Sequence, residues 1–147
     1  MRAESTFTVH DFKPAPVTPA LSVRTGVDVG VYTMEKRYEG QVSGRSASLF
    51  TAAFDQKTGI GSYVAVESFE GELGGLSGTF NFTHTASTGG ENQRYDESFV
   101  IVPSSGTGAL RGIVGSGGMS VDSDGTHRIW FDYELSHPLS KKSIEGR

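Results

Sequence analysis

The 147-residue chain carries a formal net charge of −4, with 13 Lys and Arg against 17 Asp and Glu, and shows no basic cluster of the kind that nucleic acid or an acidic membrane requires. It has no cysteine, which removes disulfide frameworks, thiolate metal sites and Cys nucleophiles. The length suits one domain with one core, and neither an N-terminal apolar h-region nor an apolar run of membrane length is present, so a cytoplasmic protein is expected.

The first strand is expected over Thr6 to Phe12, where Phe7 and Val9 alternate with Thr6, Thr8 and His10. Pro14, Pro16 and Pro19 then force an extended connection. A second strand from Val27 to Val42 carries Val27, Val29 and Val31 on one side, with Gly40 as a bend within it. The third runs from Ala47 to Phe54 and closes at Asp55-Gln56-Lys57-Thr58-Gly59. The fourth, Ser62 to Glu70, and the fifth, Ser77 to Thr85, are joined by a two-residue Gly74-Gly75 hairpin turn. The polar segment 86–93 reads as a mobile lid, and Ser98 to Val102 as a sixth strand ended by Pro103.

A glycine-rich stretch, Ser104 to Gly118, keeps apolar residues at Leu110, Ile113 and Val114 and reads as the curved start of a seventh strand, Ala109 to Val121. Asp124-Gly125 turns the chain into an eighth, Thr126 to Leu135, setting Met119 opposite Trp130. No segment has a helical period. Eight strands with short turns predict an all-β, up-and-down antiparallel barrel of the lipocalin kind, with an open sandwich as the alternative. The domain is placed at residues 1–140. The tail 141–147 reads as vector-derived, because Ile144-Glu145-Gly146-Arg147 spells a processing-protease site.

The fourth and fifth strands carry the candidate chemistry. A two-residue turn places Glu67 opposite Phe82 and Ala65 opposite His84, whereas a shift of two places Glu67 opposite His84. In either register Tyr63, Glu67, Phe80, Phe82 and His84 share a face. A carboxyl and an imidazole among aromatic rings make an acid/base pair, since burial raises a carboxylic acid's pKa and histidine relays protons. Trp130 and Tyr133 complete the expected wall around a small, largely apolar substrate. Both faces of the eighth strand look apolar, which predicts a homo-oligomer.

Other motifs fail. The glycine stretch lacks the Gly-Lys-Ser/Thr ending and the following helix of a phosphate loop. Asp122-Ser123-Asp124-Gly125 lacks the later Glu of a calcium loop. His10, His127 and His137 share no metal-ligand spacing with one another or with His84. No cofactor or metal is expected.

The stretch Ser105-Gly106-Thr107-Gly108-Ala109-Leu110-Arg111-Gly112-Ile113-Val114-Gly115, preceded by Val100-Ile101-Val102-Pro103, resembles the signature of an uncharacterised bacterial family of domains of unknown function. That family's barrel is similar to plant allene oxide cyclase. Tyr38-Glu39-Gly40, the run from Tyr63 to Gly71, the run from Leu73 to Phe80 and Phe131-Asp132-Tyr133 follow in the family's order. The resemblance implies a barrel cyclase or isomerase in which Glu67 and His84 assist a shape-driven reaction. The rival expectation is a non-catalytic barrel that binds a hydrophobic ligand.

Overall fold

The computed structural model describes residues 1–90 and 93–135. Glu91 and Asn92 of the expected lid, His137 and the tail 141–147 lie outside the described residues. Eight antiparallel strands follow in chain order: β1 (Arg2–Pro14), β2 (Asp28–Gly40), β3 (Val42–Phe54), β4 (Ile60–Leu73), β5 (Leu76–Gly89), β6 (Arg94–Ile101), β7 (Ile113–Val121) and β8 (His127–Leu135). Each pairs with the next, and β1 also pairs with β8 from Arg2↔Asp132 to Phe7↔His127, so the sheet closes into a ring. Closure leaves no open edge, which is why a meander of this length is stable without a second layer.

The expected alternation sorts inside from outside. Inward residues of β1, β4, β5 and β8 such as Phe7, Phe69, Phe80, Phe82, Ile129 and Phe131 are buried and form one cluster with Tyr38, Leu73, Leu110 and Ile113. That cluster fills one end of the ring. At the other end a smaller group of Ala52, Tyr63 and Ala86 is flanked by half-buried Tyr32, Phe50 and Phe54.

Three expectations are corrected. The second strand ends at Gly40 and the third begins at Val42, not Ala47, since the chain reverses at Gly40–Val42 instead of bending within the second strand. Gly40 takes φ +136° there and Gln41 N–H donates to the Glu4 carbonyl, so the turn is anchored on β1. The β7–β8 turn has one residue more than expected: Asp122 N–H donates to Thr126 O, and Met119 faces Ile129 while Gly118 faces Trp130. A one-residue slip exchanges the faces. Finally, the segment before β7 is not strand: Gly108–Leu110 forms one 3-10 turn that caps the packed end. Thr107 N–H donates to the Thr79 carbonyl, and fully buried Leu110 lies against Gly78. A methyl at Gly78 would run into Thr107 O, so glycine there admits the cap.

The pairing is uneven around the ring. β4 and β5 stay in register from Ile60↔Gly89 to Leu73↔Leu76, whereas β6 and β7 share the single pair Val100↔Ser116. β6 also carries a bulge: Asp96 has φ +52° and the register to β5 shifts between Thr85 and Ser87.

Candidate functional site

The unshifted hairpin register is the observed one, with Glu67↔Phe82 and Ala65↔His84. Its Glu67 face points inward: Glu67 is fully buried and His84 nearly so. The two do not pair with each other. Glu67 Oε2 accepts from Lys36 Nζ at 2.6 Å, and Oε1 accepts from Ser46 Oγ at 2.9 Å, with the Tyr38 hydroxyl 2.7 Å from that serine and 3.4 Å from Oε1. Lys36 is itself buried and lies 5.1 Å over the Phe7 ring. A buried charge is tolerated only when paired and hydrogen-bonded, and this carboxylate is both.

His84 belongs to a second group nearer the Tyr32–Tyr63 end. Its Nε2 lies 2.5 Å from Glu97 Oε2 and 3.2 Å from the Tyr63 hydroxyl. A carboxylate only accepts, so the proton sits on Nε2 and leaves Nδ1 as the basic nitrogen of the neutral ring. Burial depresses the His84 pKa below 6.5 and outweighs the upward pull of Glu97, with Lys36 and Arg94 pushing in the same direction as burial. Burial likewise pushes the Tyr63 phenol up to about 12 and holds Tyr38 well above its ordinary value, the latter reinforced by Glu67. Arg94 lies 3.8 Å from Glu97 and pairs with Thr88, on the His84 face of β5. Residues three apart in a regular strand face opposite ways; the Asp96 bulge lets Arg94 and Glu97 face the same group.

Above this group the rings of Phe12 and Tyr32 stack at 5.0 Å and those of Phe50 and Tyr63 at 5.1 Å. Tyr32 and Phe54 also line a cleft of about 650 Å³, with Arg24 and Lys57 among its walls. Its walls also include Asp28 and Asp55, and none of Tyr63, His84 and Glu97 lines it.

Of the remaining expected site residues, Phe80, Phe82 and Tyr133 are buried in the packed end, where Phe82 stacks on Phe99 at 5.0 Å. Trp130 is on the outer face, a correction that follows from the β7–β8 slip: it lies across Gly118 with the Arg2 guanidinium 5.6 Å away, outside the Tyr63–His84 group. Lys36, Ser46, Glu97, Arg94, Tyr32 and Phe50 were missed. The signal for Lys36 was its even spacing from Tyr32, Met34 and Tyr38, hidden by its charged neighbours Glu35 and Arg37. Among the described residues no group of three or more His, Asp or Glu could hold a metal ion, and no helix is long and apolar enough to cross a membrane.

The family model for the proteins of unknown function DUF3224 matches residues 3–133. The chain belongs to the DUF3224 family. A crystal structure of a DUF3224 protein with unknown function from Shewanella oneidensis MR-1 is similar, at 25% sequence identity, TM-score 0.77, and coverage of 93% of this chain and 98% of that one. No curated protein matches the sequence. The DUF3224 match spans every strand of the ring up to Tyr133, so both polar groups fall within the family's extent.

Proposed function

We propose that this DUF3224 chain takes up a small, largely apolar organic molecule at the Tyr32–Tyr63 end of the ring and isomerises or cyclises it by moving a proton through His84. The observation that carries the reading is His84 Nε2 held between the Glu97 carboxylate and the Tyr63 hydroxyl, beneath a half-buried aromatic wall. Glu97 fixes the tautomer, the depressed pKa keeps the ring neutral near pH 7, and Nδ1 takes a proton from one atom of the molecule and returns it to another, leaving the mass unchanged. The aromatic rings hold the molecule near its reactive shape, the larger part of such catalysis. Glu67, committed to Lys36 and Ser46, supplies fixed charge below the site and no proton. The same reading takes the ring for a cytoplasmic barrel of the allene oxide cyclase kind, on the strength of the sequence resemblance.

The same commitment of Glu67 favours a second reading, a binder without chemistry, because one of the two expected acid/base groups is already satisfied. The two separate in one experiment. Wild type and His84→Gln are incubated with a fractionated small-molecule extract, and products are sought that change retention at unchanged mass. Conversion by wild type that is lost in His84→Gln supports the isomerase. Retention of a compound by both proteins without conversion supports the binder. Neither retention nor conversion overturns both.

A further inference from the structure

Among the described residues, the buried side-chain atoms that meet no protein partner are Ser5 Oγ and Ser48 Oγ. Ser5 pairs in register with Gly40 and Ile129 at the packed end. Ser48 lies elsewhere. It shares its face of β3 with Ser46, which bonds Glu67, and with Phe50, which stacks on Tyr63, so its hydroxyl is inside the ring. The residue is 4% exposed. It pairs in register with Glu67, whose oxygens accept from Lys36 and Ser46 and leave Ser48 unbonded. Phe50 belongs with the smaller aromatic cluster and Phe82, next to Glu67 in the same register, with the larger one, so Ser48 stands on the seam between them. A buried hydroxyl without a partner is a net loss to folding, and alanine fills the same inward role at Ala52 and Ala65. Serine here therefore has a use that the fold itself does not supply.

We propose that the Ser48 hydroxyl donates to the carbonyl oxygen of the molecule whose proton His84 moves. The substrate is then a largely apolar ketone or aldehyde with a hydrogen on the carbon beside the carbonyl and a double bond next to that carbon. This rests on the His84 reading above and adds its substrate class. An imidazole can take a proton from carbon only where the electron pair left behind has an acceptor; an adjacent carbonyl is one, and its oxygen needs a donor as charge grows on it. Ser48 and His84 are two strands and one inward row apart, about 12 Å between Cα atoms along the wall. Both side chains extend toward the ring axis, which shortens the span to one small ketone held by a hydrogen bond and a proton-transfer contact of about 3 Å each. On β4 between them stand Glu67, held by its own partners, and the small Ala65, paired with both Phe50 and His84. In the step itself Nδ1 takes the hydrogen as a proton, the C–H pair forms a double bond to the carbonyl carbon, and the C=O π pair moves onto the oxygen that Ser48 holds. The imidazolium then returns the proton to the far carbon of the neighbouring double bond and C=O re-forms. The double bond has moved and the mass is unchanged.

The full chain is tested with benzylacetone, an apolar ketone, and butylbenzene, which has a methylene in place of the carbonyl. Infrared difference spectra should place the carbonyl stretch of bound benzylacetone below its value in an alkane for wild type and Ser48→Thr, and at the alkane value for Ser48→Ala. Ser48→Ala should weaken benzylacetone about tenfold and leave butylbenzene unchanged. In heavy water wild type should exchange the hydrogens beside the carbonyl, Ser48→Ala about 100-fold more slowly and His84→Gln not at all, with the carbonyl shift kept in His84→Gln. The urea midpoint of Ser48→Ala should equal or exceed that of wild type, whereas a structural hydroxyl would lower it. Ser48→Cys, a weaker donor, takes its place should Ser48→Ala not fold. A carbonyl stretch or benzylacetone affinity that Ser48→Ala leaves unmoved, a lowered urea midpoint, or no binding of benzylacetone overturns the assignment of Ser48. The His84 reading fails separately, if wild type shows the carbonyl shift yet exchanges no faster than His84→Gln.

Discussion

Lys36 Nζ lies 2.6 Å from Glu67 Oε2, and both groups are buried inside the ring. Removing one partner of such a pair strands the other charge at a cost of about 3–5 kcal/mol, whereas removing both is far milder. Lys36→Met should therefore lower the free energy of unfolding by about that amount, and Lys36→Met/Glu67→Gln should recover much of it. Urea denaturation of Lys36→Met, Glu67→Gln and the double variant checks this; a double loss equal to the sum of the single losses would show the pair to be uncoupled.

His84 makes stability depend on pH in a fixed direction. Its pKa is below 6.5 in the folded chain, so as pH falls through 6.5 the unfolded chain binds the proton first. Stability is present above that point and is lost as pH falls through the folded-state value. His127, depressed by burial and then by Lys36 and Arg94, acts with the same sign. Denaturation midpoints should fall on acidification from neutral pH, and His84→Asn should flatten part of the slope. A midpoint that rises on acidification would contradict the neutral imidazole.

Tyr63 titrates late, at about 12 against an ordinary 10.0, and Tyr38 is also displaced upward. After a rapid jump to alkaline pH, phenolate absorbance should show at least two tyrosines ionising after the rest. Tyr63→Phe should remove one of them. A single transition near the ordinary phenol value would mean that the two sites are hydrated.

Gly44 and Gly71 face each other across β3 and β4 with φ of +142° and +149°. A methyl on either would strike the opposite strand's carbonyl, Glu70 O or Ser43 O. Strain and clash together should make Gly44→Ala or Gly71→Ala cost more than about 2 kcal/mol. Gly26, with open space around its Cβ position, should tolerate alanine within about 0.5 kcal/mol. Thermal denaturation of the three variants gives the ranking, and equal midpoints would refute it.

Much of the ring was legible because alternation is a local signal. Tyr63, Glu67, Phe80, Phe82 and His84 were grouped on one face by counting residues from a single turn, Gly74-Gly75, and the structure keeps that register. The errors arose where backbone geometry broke the count. At Ser123–Gly125 one extra turn residue moved Trp130 outward, and at Asp96 a bulge hid the inward pair Arg94 and Glu97. Leu110 looked like strand because its apolar neighbours fit that pattern, while its burial as a cap depends on Gly78, thirty-two positions earlier in the chain. Glu67's partner was hidden for a similar reason, since only the curvature of the ring brings β2 across to meet β4.

The single register pair between β6 and β7 sets where the ring breathes. Local opening begins where few backbone bonds must break together, so thermal parting of the wall starts at this joint while β3, β4 and β5 stay zipped. Arg94, Glu97 and Phe99 stand on one bank of the joint, and Glu97 and Phe99 both touch His84. The side of the ring with the fewest cross-strand pairs is thus also the side of its imidazole, so the first opening of the wall would expose His84 before any residue of the packed end.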